Sequence, residues 1–226
     1  MIPDRDGREV AFEPLLDELL PIFCPGWELP QIMEGEHQHH RCEVKRFRVG
    51  QAALDDPEAT RQHMRRLIRA AVHDQCRSGV NQLVKPLIKS LGHRPVQEAL
   101  ISHMEAGTLA EKVGATMAWY WARPGLQYGS REDLRLGVPT KESKAFLDAL
   151  NDLRDRFRTA CLAAFLDCED VEASQDLSLR LHADPSAYPV DLQHNHEQAM
   201  RIILANPERY RWFLERSPTP PATERR

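Results

Sequence analysis

Apolar residues recur every three to four positions along most of this chain, the spacing that gathers them on one face of an α-helix. The clearest run lies in LDDPEATRQHMRRLIRAAVHDQCRSG. There Met64, Leu67, Ile68, Ala71, Val72 and Cys76 form one stripe with arginines opposite. Asp56 suits the cap, Pro57 the first turn, and Gly79 follows the end, so one continuous helix is expected. In VNQLVKPLIKSLGHRPVQEALISHMEAGT, Leu83, Val84, Leu87, Ile88 and Leu91 share a face. Gly92 stops that helix, and Pro95 opens another through Val96, Leu100 and Met104. So short a joint sets the two antiparallel, each burying its stripe on the other and on a neighbouring pair. Pro86 has no N–H to donate and its ring crowds the preceding turn, which predicts a kink. In TLAEKVGATMAWYWARPG, Thr108 and Glu111 stand at capping-box spacing, and the helix they open ends at Arg123-Pro124-Gly125.

Elsewhere the pattern is weaker. A short helix is expected over Pro14 to Leu20. The stretch from Pro21 to Gly50, broken by prolines and glycines, reads as irregular with an extended piece at CEVKRFRV. GLQYGSREDLRLGVPT breaks the helical rhythm and reads as a long surface loop, where a compact array would carry function. Beyond Thr140, Phe146, Leu150, Leu153, Phe157, Cys161 and Ala164 mark either one long helix or two with a break near Asn151. VEASQDLSLRLHAD reads as a helix, although Leu177, Leu179 and Leu181 alternate and leave a strand open. Two more helices follow, Leu192 to Ala205 and Pro207 to Arg216, the second capped by Asn206. The terminal SPTPPATERR carries no core-forming residue and is expected to be mobile.

Composition narrows the class of function. At 226 residues, 42% hydrophobic and 28% charged, the chain has globular proportions. A net charge of −4 lacks the basic excess with which nucleic-acid-binding domains attract a polyanion, which argues against nucleic acid as a partner. Five cysteines without regular spacing argue against a disulfide framework and for a reducing compartment. No apolar run reaches the roughly 18 to 20 residues that span a bilayer, and MIPDRDGREV has no secretion-signal core, so a cytoplasmic protein off the membrane is expected.

LVKPLIKSLGHRPVQEALISHMEAG followed by TLAEKVGATMAWYWA resembles the HEAT-like, or armadillo-like, helical-repeat superfamily. The likeness is carried by Pro86 in a first helix, the tight turn at Gly92 to Arg94, and a second helix from near Val96. Ala115, Ala118 and Tyr120 recur as Ala160, Ala163 and Phe165, each 45 positions on, within the period of about 40 to 47 residues of such repeats. The resemblance covers Glu58 to Leu166 and includes no catalytic motif. It implies stacked helix pairs with a curved binding face, because each pair leaves a side uncovered until its neighbour stacks on it.

Two clusters carry candidate chemistry. EGEHQHHRC holds His37, His39, His40 and Cys42, whose imidazole and thiolate groups are zinc ligands. In an extended chain His37 and His39 point one way and His40 and Cys42 the other, so a solvated polar loop is favoured over a metal site. A second pair, His194 and His196, lies about 200° apart on a helix, poor for chelation. AWYWAR is the more informative. Successive helical residues turn by about 100°, so Trp119, Tyr120 and Trp121 cannot share one narrow stripe. With Val113, Met117 and Tyr120 as its centre, the tryptophans flank it and one lies beneath the loop or lines a groove. No phosphate loop, dinucleotide fingerprint, nucleophile elbow or cofactor motif is present.

The sequence therefore predicts an all-α protein of stacked antiparallel helix pairs in a curved HEAT-like array. An irregular segment over 1–56 packs on an array over 57–216, and 217–226 is a disordered tail. The expected role is a non-catalytic adaptor or regulatory module binding an unknown protein partner through Trp119, Tyr120, Trp121, Arg123 and Tyr128. Two alternatives stand beside it. One is an enzyme on a HEAT-like scaffold such as a DNA-repair glycosylase, needing a basic groove with a buried carboxylate. The other is a zinc module using the histidine cluster.

Overall fold

The computed structural model describes residues 8–31, 38–74 and 76–216, and every regular element among them is helical. The chain divides into two compact units between Leu153 and Arg154. The first holds α1 (Arg8–Phe23), α2 (Gln38–Asp55), α3 (Pro57–Gln62), α4 (Met64–His73), α5 (Asn81–Leu91), α6 (His93–Ala106), α7 (Leu109–Ala122), α8 (Arg131–Leu136) and α9 (Lys141–Asp148). Helix α10 (Asn151–Leu166) begins just before the division, and α11 (Val171–Ser178), α12 (Gln193–Ala205) and α13 (Arg211–Arg216) belong to the second unit.

The N-terminal stretch expected to be irregular is mostly helical among its described residues. Pro14 and Pro21 lie inside α1, which buries Phe12, Leu15, Leu16, Leu19 and Leu20. The extended piece expected at CEVKRFRV is the middle of α2. Its buried face is Cys42, Lys45, Arg46, Val49, Gly50 and Ala53, a helical spacing disguised by two cations. Those charges are compensated across the interface. Glu13 of α1 accepts from Arg41 Nε and Nη2 at 2.9 Å each and from Lys45 Nζ at 2.9 Å. Arg46 Nη1 donates to both oxygens of Asp74, at 3.0 and 3.2 Å, with the two side chains 3% and 1% exposed. Gly50 does not end the helix. A Cβ there would lie 2.6 Å from the Gln82 carbonyl oxygen, so glycine lets α2 and α5 touch backbone to backbone.

The single helix expected from Pro57 breaks at His63 (φ −105°, ψ 19°), leaving α3 to pack on α2 and α5 while α4 turns its stripe towards α1, α5 and α7. Asp56 caps α3 as expected, accepting from the Ala59 amide at 2.9 Å. Gly92 ends α5 at φ +82°, a conformation that favours glycine, and α6 starts at the next residue. The two are not each other's main partner, as the tight turn had implied: α5 packs chiefly on α2 and α3, and α6 on α7. Within this unit α1, α4 and α7 lie side by side, backed by α2, α5 and α6. Helix α7 opens with the expected Thr108–Glu111 capping box and is buried at every residue from Val113 to Trp119. Gly114 permits this, since a Cβ there would stand 1.6 Å from the Val72 carbonyl oxygen.

In the second unit α10 buries Phe157, Ala160, Cys161, Leu162, Ala164 and Phe165. The Phe165 ring meets Tyr210 edge-on at 5.6 Å, and the Tyr210 hydroxyl donates to Ser174 Oγ at 3.3 Å. The strand reading of Leu177 to Leu181 is replaced by helix α11, which ends at Ser178; Leu177 within it and Leu181 just beyond its closing turn are both buried. Asn206 caps the end of α12, its Nδ2 donating to the Ile202 carbonyl, and α13 begins only at Arg211. His196 is buried, its Nε2 within 2.9 Å of the His182 carbonyl, while His194 is exposed, so they do not form a pair. Burial pushes the Tyr188 phenol up to about 12, and its oxygen accepts from the His182 amide at 2.9 Å. The tail at 217–226 lies outside the described residues.

Candidate functional site

The end of α7 and the segment after it form the most exposed apolar region of the first unit. Arg123 leaves helical geometry (φ −74°, ψ 142°) before Pro124, the extended conformation that a residue ahead of proline favours. The last carbonyl of the helix, Ala122 O, is met by Gln97 Nε2 at 2.9 Å and lies 2.8 Å from His93 Nδ1. Two side chains of α6 thus fix the point from which the next segment departs.

The aromatic run divides as helical rotation requires, with a different centre from that expected. Trp119 is 6% exposed and belongs to the core. Tyr120, expected at the middle of the buried stripe, is 49% exposed. Trp121 is partly exposed, its indole Nε1 donating to the Arg77 carbonyl at 2.8 Å. The Tyr120 ring stands edge-on to Trp121 at 5.1 Å, and the Arg123 guanidinium lies 4.9 Å from the Tyr120 centroid. Three of the five predicted contacts, Tyr120, Trp121 and Arg123, therefore meet at the surface. Tyr128 is partly exposed in the segment that follows.

That segment is a closed loop with a short helix inside it. Its neck is tied where the Thr140 amide donates to the Gln127 carbonyl at 2.8 Å and the Gln127 amide donates to Ser143 Oγ at 3.1 Å. Ser130 caps α8, accepting from the Asp133 amide at 3.0 Å, and Gly137 ends it at φ +68°. The ends lie close while the contents form local structure, the character of an Ω-loop. Yet α8 has no buried residue: Leu134 is 59% exposed, Leu136 61% and Val138 53%. Leu126 on one side and Phe146 on the other are exposed as well, Phe146 touching only the edge-on His93 ring at 5.5 Å among the described aromatic contacts. Of eleven large hydrophobic side chains exposed among the described residues, six fall between Tyr120 and Phe146, so the loss of burial is concentrated here. Sequence reading found the loop from its glycines and missed its leucines, which have a locally apolar pattern but no neighbour to cover them.

The histidine cluster folds differently from an extended loop. His39, His40 and Cys42 lie on α2; Cys42 is 3% exposed and His40 is exposed, while His39 Nε2 is 3.8 Å from Glu43. His37 lies outside the described residues. Among the described residues no three His, Cys, Asp or Glu side chains come together as a metal-ligand group. Asp74, the most deeply buried described carboxylate, is closed off by Arg46 and also accepts from the Cys76 amide at 2.9 Å, unlike a carboxylate presented in an open groove. No described helix is long and apolar enough to cross a membrane.

Comparison with protein-family models, with curated proteins and with solved structures finds no match.

Proposed function

We propose that this protein is a non-catalytic binding module that engages a protein partner through Tyr120, Trp121, Arg123 and the segment from Leu126 through the loop to Phe146 of α9. The observation that carries the reading is the exposure of Leu134, Leu136 and Val138 on a loop whose backbone is closed and capped. A well-ordered loop that turns its largest apolar groups to water gains nothing for its own fold, and exposed apolar clusters beside aromatic and arginine side chains mark interfaces. Side-by-side α1, α4 and α7 backed by α2, α5 and α6 support the HEAT-like reading, in which a rigid helical scaffold presents such a surface, and the cytoplasm is the compartment proposed for it.

The test compares capture of one partner by the full chain and by Tyr120→Ala and Leu134→Ser/Leu136→Ser variants. Because none of these side chains is buried, circular dichroism is expected to be unchanged. A hot spot of about 2 kcal/mol corresponds to roughly thirtyfold weaker binding. Equal capture by wild type and both folded variants would overturn the assignment.

A further inference from the structure

A second concavity lies on another part of the first unit, between α4, α6 and the start of α7, with a volume of about 530 Å³. Its floor is apolar: Ile68, 1% exposed, with Met64, Ala99 and Ala106. Along one wall stand Arg65 and Arg69, one helical turn apart and both exposed. Helix α4, MRRLIRAAVH, has no acidic residue to answer them. Among the described residues neither guanidinium makes an ion pair or a side-chain hydrogen bond, whereas those of Arg41, Arg46, Arg61, Arg94 and Arg135 in the same unit do.

The acid that shares the concavity is already engaged. Glu111 Oε2 accepts from the Thr108 amide at 2.9 Å, and Oε1 lies 3.5 Å from His103 Nδ1 and 3.7 Å from His73 Nε2. The balance of charge in the groove is therefore positive over an oily floor. Two guanidinium forks at one-turn spacing match the paired oxygens of a carboxylate or phosphate, and the volume falls within the range of roughly 300 to 1,000 Å³ typical of small-molecule sites.

We propose that the groove between α4 and α6 binds a small amphipathic oxyanion, its head on Arg65 and Arg69 and its apolar body along Met64, Ile68, Ala99 and Ala106. The site does not rest on the protein-binding surface beyond α7, and either can fail without the other.

Calorimetric titration of the full chain with decanoate and with decyl phosphate, both below their aggregation concentrations, tests it and tells the two head groups apart. Decanol and inorganic phosphate supply the tail alone and the head alone. Saturable binding of one amphiphile is expected, at least about tenfold tighter than either half molecule. It should weaken at least about tenfold in Arg65→Ala/Arg69→Ala and vanish in Ser102→Trp, where an exposed position on the rim is filled with an indole. No saturable binding of either amphiphile, affinity indifferent to both variants, equal binding of inorganic phosphate, or displacement by duplex DNA would each overturn it.

Discussion

Arg46 shows how much one side chain can hold. It spans from α2 to the turn after α4, donates to both oxygens of Asp74, and lies so close over Gly79 that a Cβ there would stand 2.2 Å from the guanidinium carbon. Truncating one member of a buried pair leaves the other charged and desolvated, which costs about 3 to 5 kcal/mol. Arg46→Ala is expected to lose that much in urea unfolding, whereas removal of an exposed arginine such as Arg135 changes stability by less than about 1 kcal/mol. Thiol chemistry follows the same burial. Cys161 is fully enclosed and burial pushes its thiol far up, so it is inert, while Cys76 and Cys168 are partly exposed.

At the scale of elements, α1 and α2 are joined by a carboxylate-centred clamp. Hydrogen bonds from Arg41 above all, with Lys45, hold Glu13 below its ordinary value of 4.5 against the opposing effect of burial. A depressed carboxylate pKa contributes stability that is present above the unfolded value and is lost as pH falls through the folded one. Glu13→Gln is therefore expected to be less stable than wild type by about 1 to 3 kcal/mol near neutral pH. That difference should narrow below pH 4.5, which urea titrations at pH 7 and pH 3 would read. A gap that is the same at both would show that the clamp has no net ionic component.

The same clamp explains why α2 was hard to read. Its buried face contains Lys45 and Arg46, so a hydrophobicity pattern shows an irregular basic stretch where the fold has 18 helical residues. Only the carboxylates of α1 and of the α4–α5 turn, 28 to 32 positions away in sequence, turn those cations into interior groups. Where the signal is local, reading succeeds: Asp56, Thr108 with Glu111, and Gly92 act within a turn of their own position and each does what its type dictates. The candidate surface is an intermediate case. Helical rotation required the aromatic run to split between core and solvent, but which ring lies inside depends on where α4, α5 and α6 stand around α7.

For the whole molecule, two compact units imply two cores, one of which includes the Arg46 pair. Hydrogen exchange on Arg46→Ala is expected to accelerate in α2, α4 and α5 and to remain within about twofold of wild type in α11 and α12, since local stability follows the cooperative unit to which an amide belongs. Uniform acceleration through both units would show a single cooperative body.

The chain's own order of residues was enough to establish an all-helical protein, the Asp56 cap, the Gly92 stop, the Thr108–Glu111 capping box and the position of the loop after α7, because caps, stops and stripes act through neighbours three or four positions away. Tertiary structure alone decided that the stretch expected to be extended is helix α2 with Lys45 and Arg46 on its buried face, that Trp119 rather than Tyr120 is core, that leucines of α8 stay in water, and that Arg65 and Arg69 line a groove. Each of these depends on which distant helix covers a given face, and covering is a matter of contacts that no local periodicity encodes.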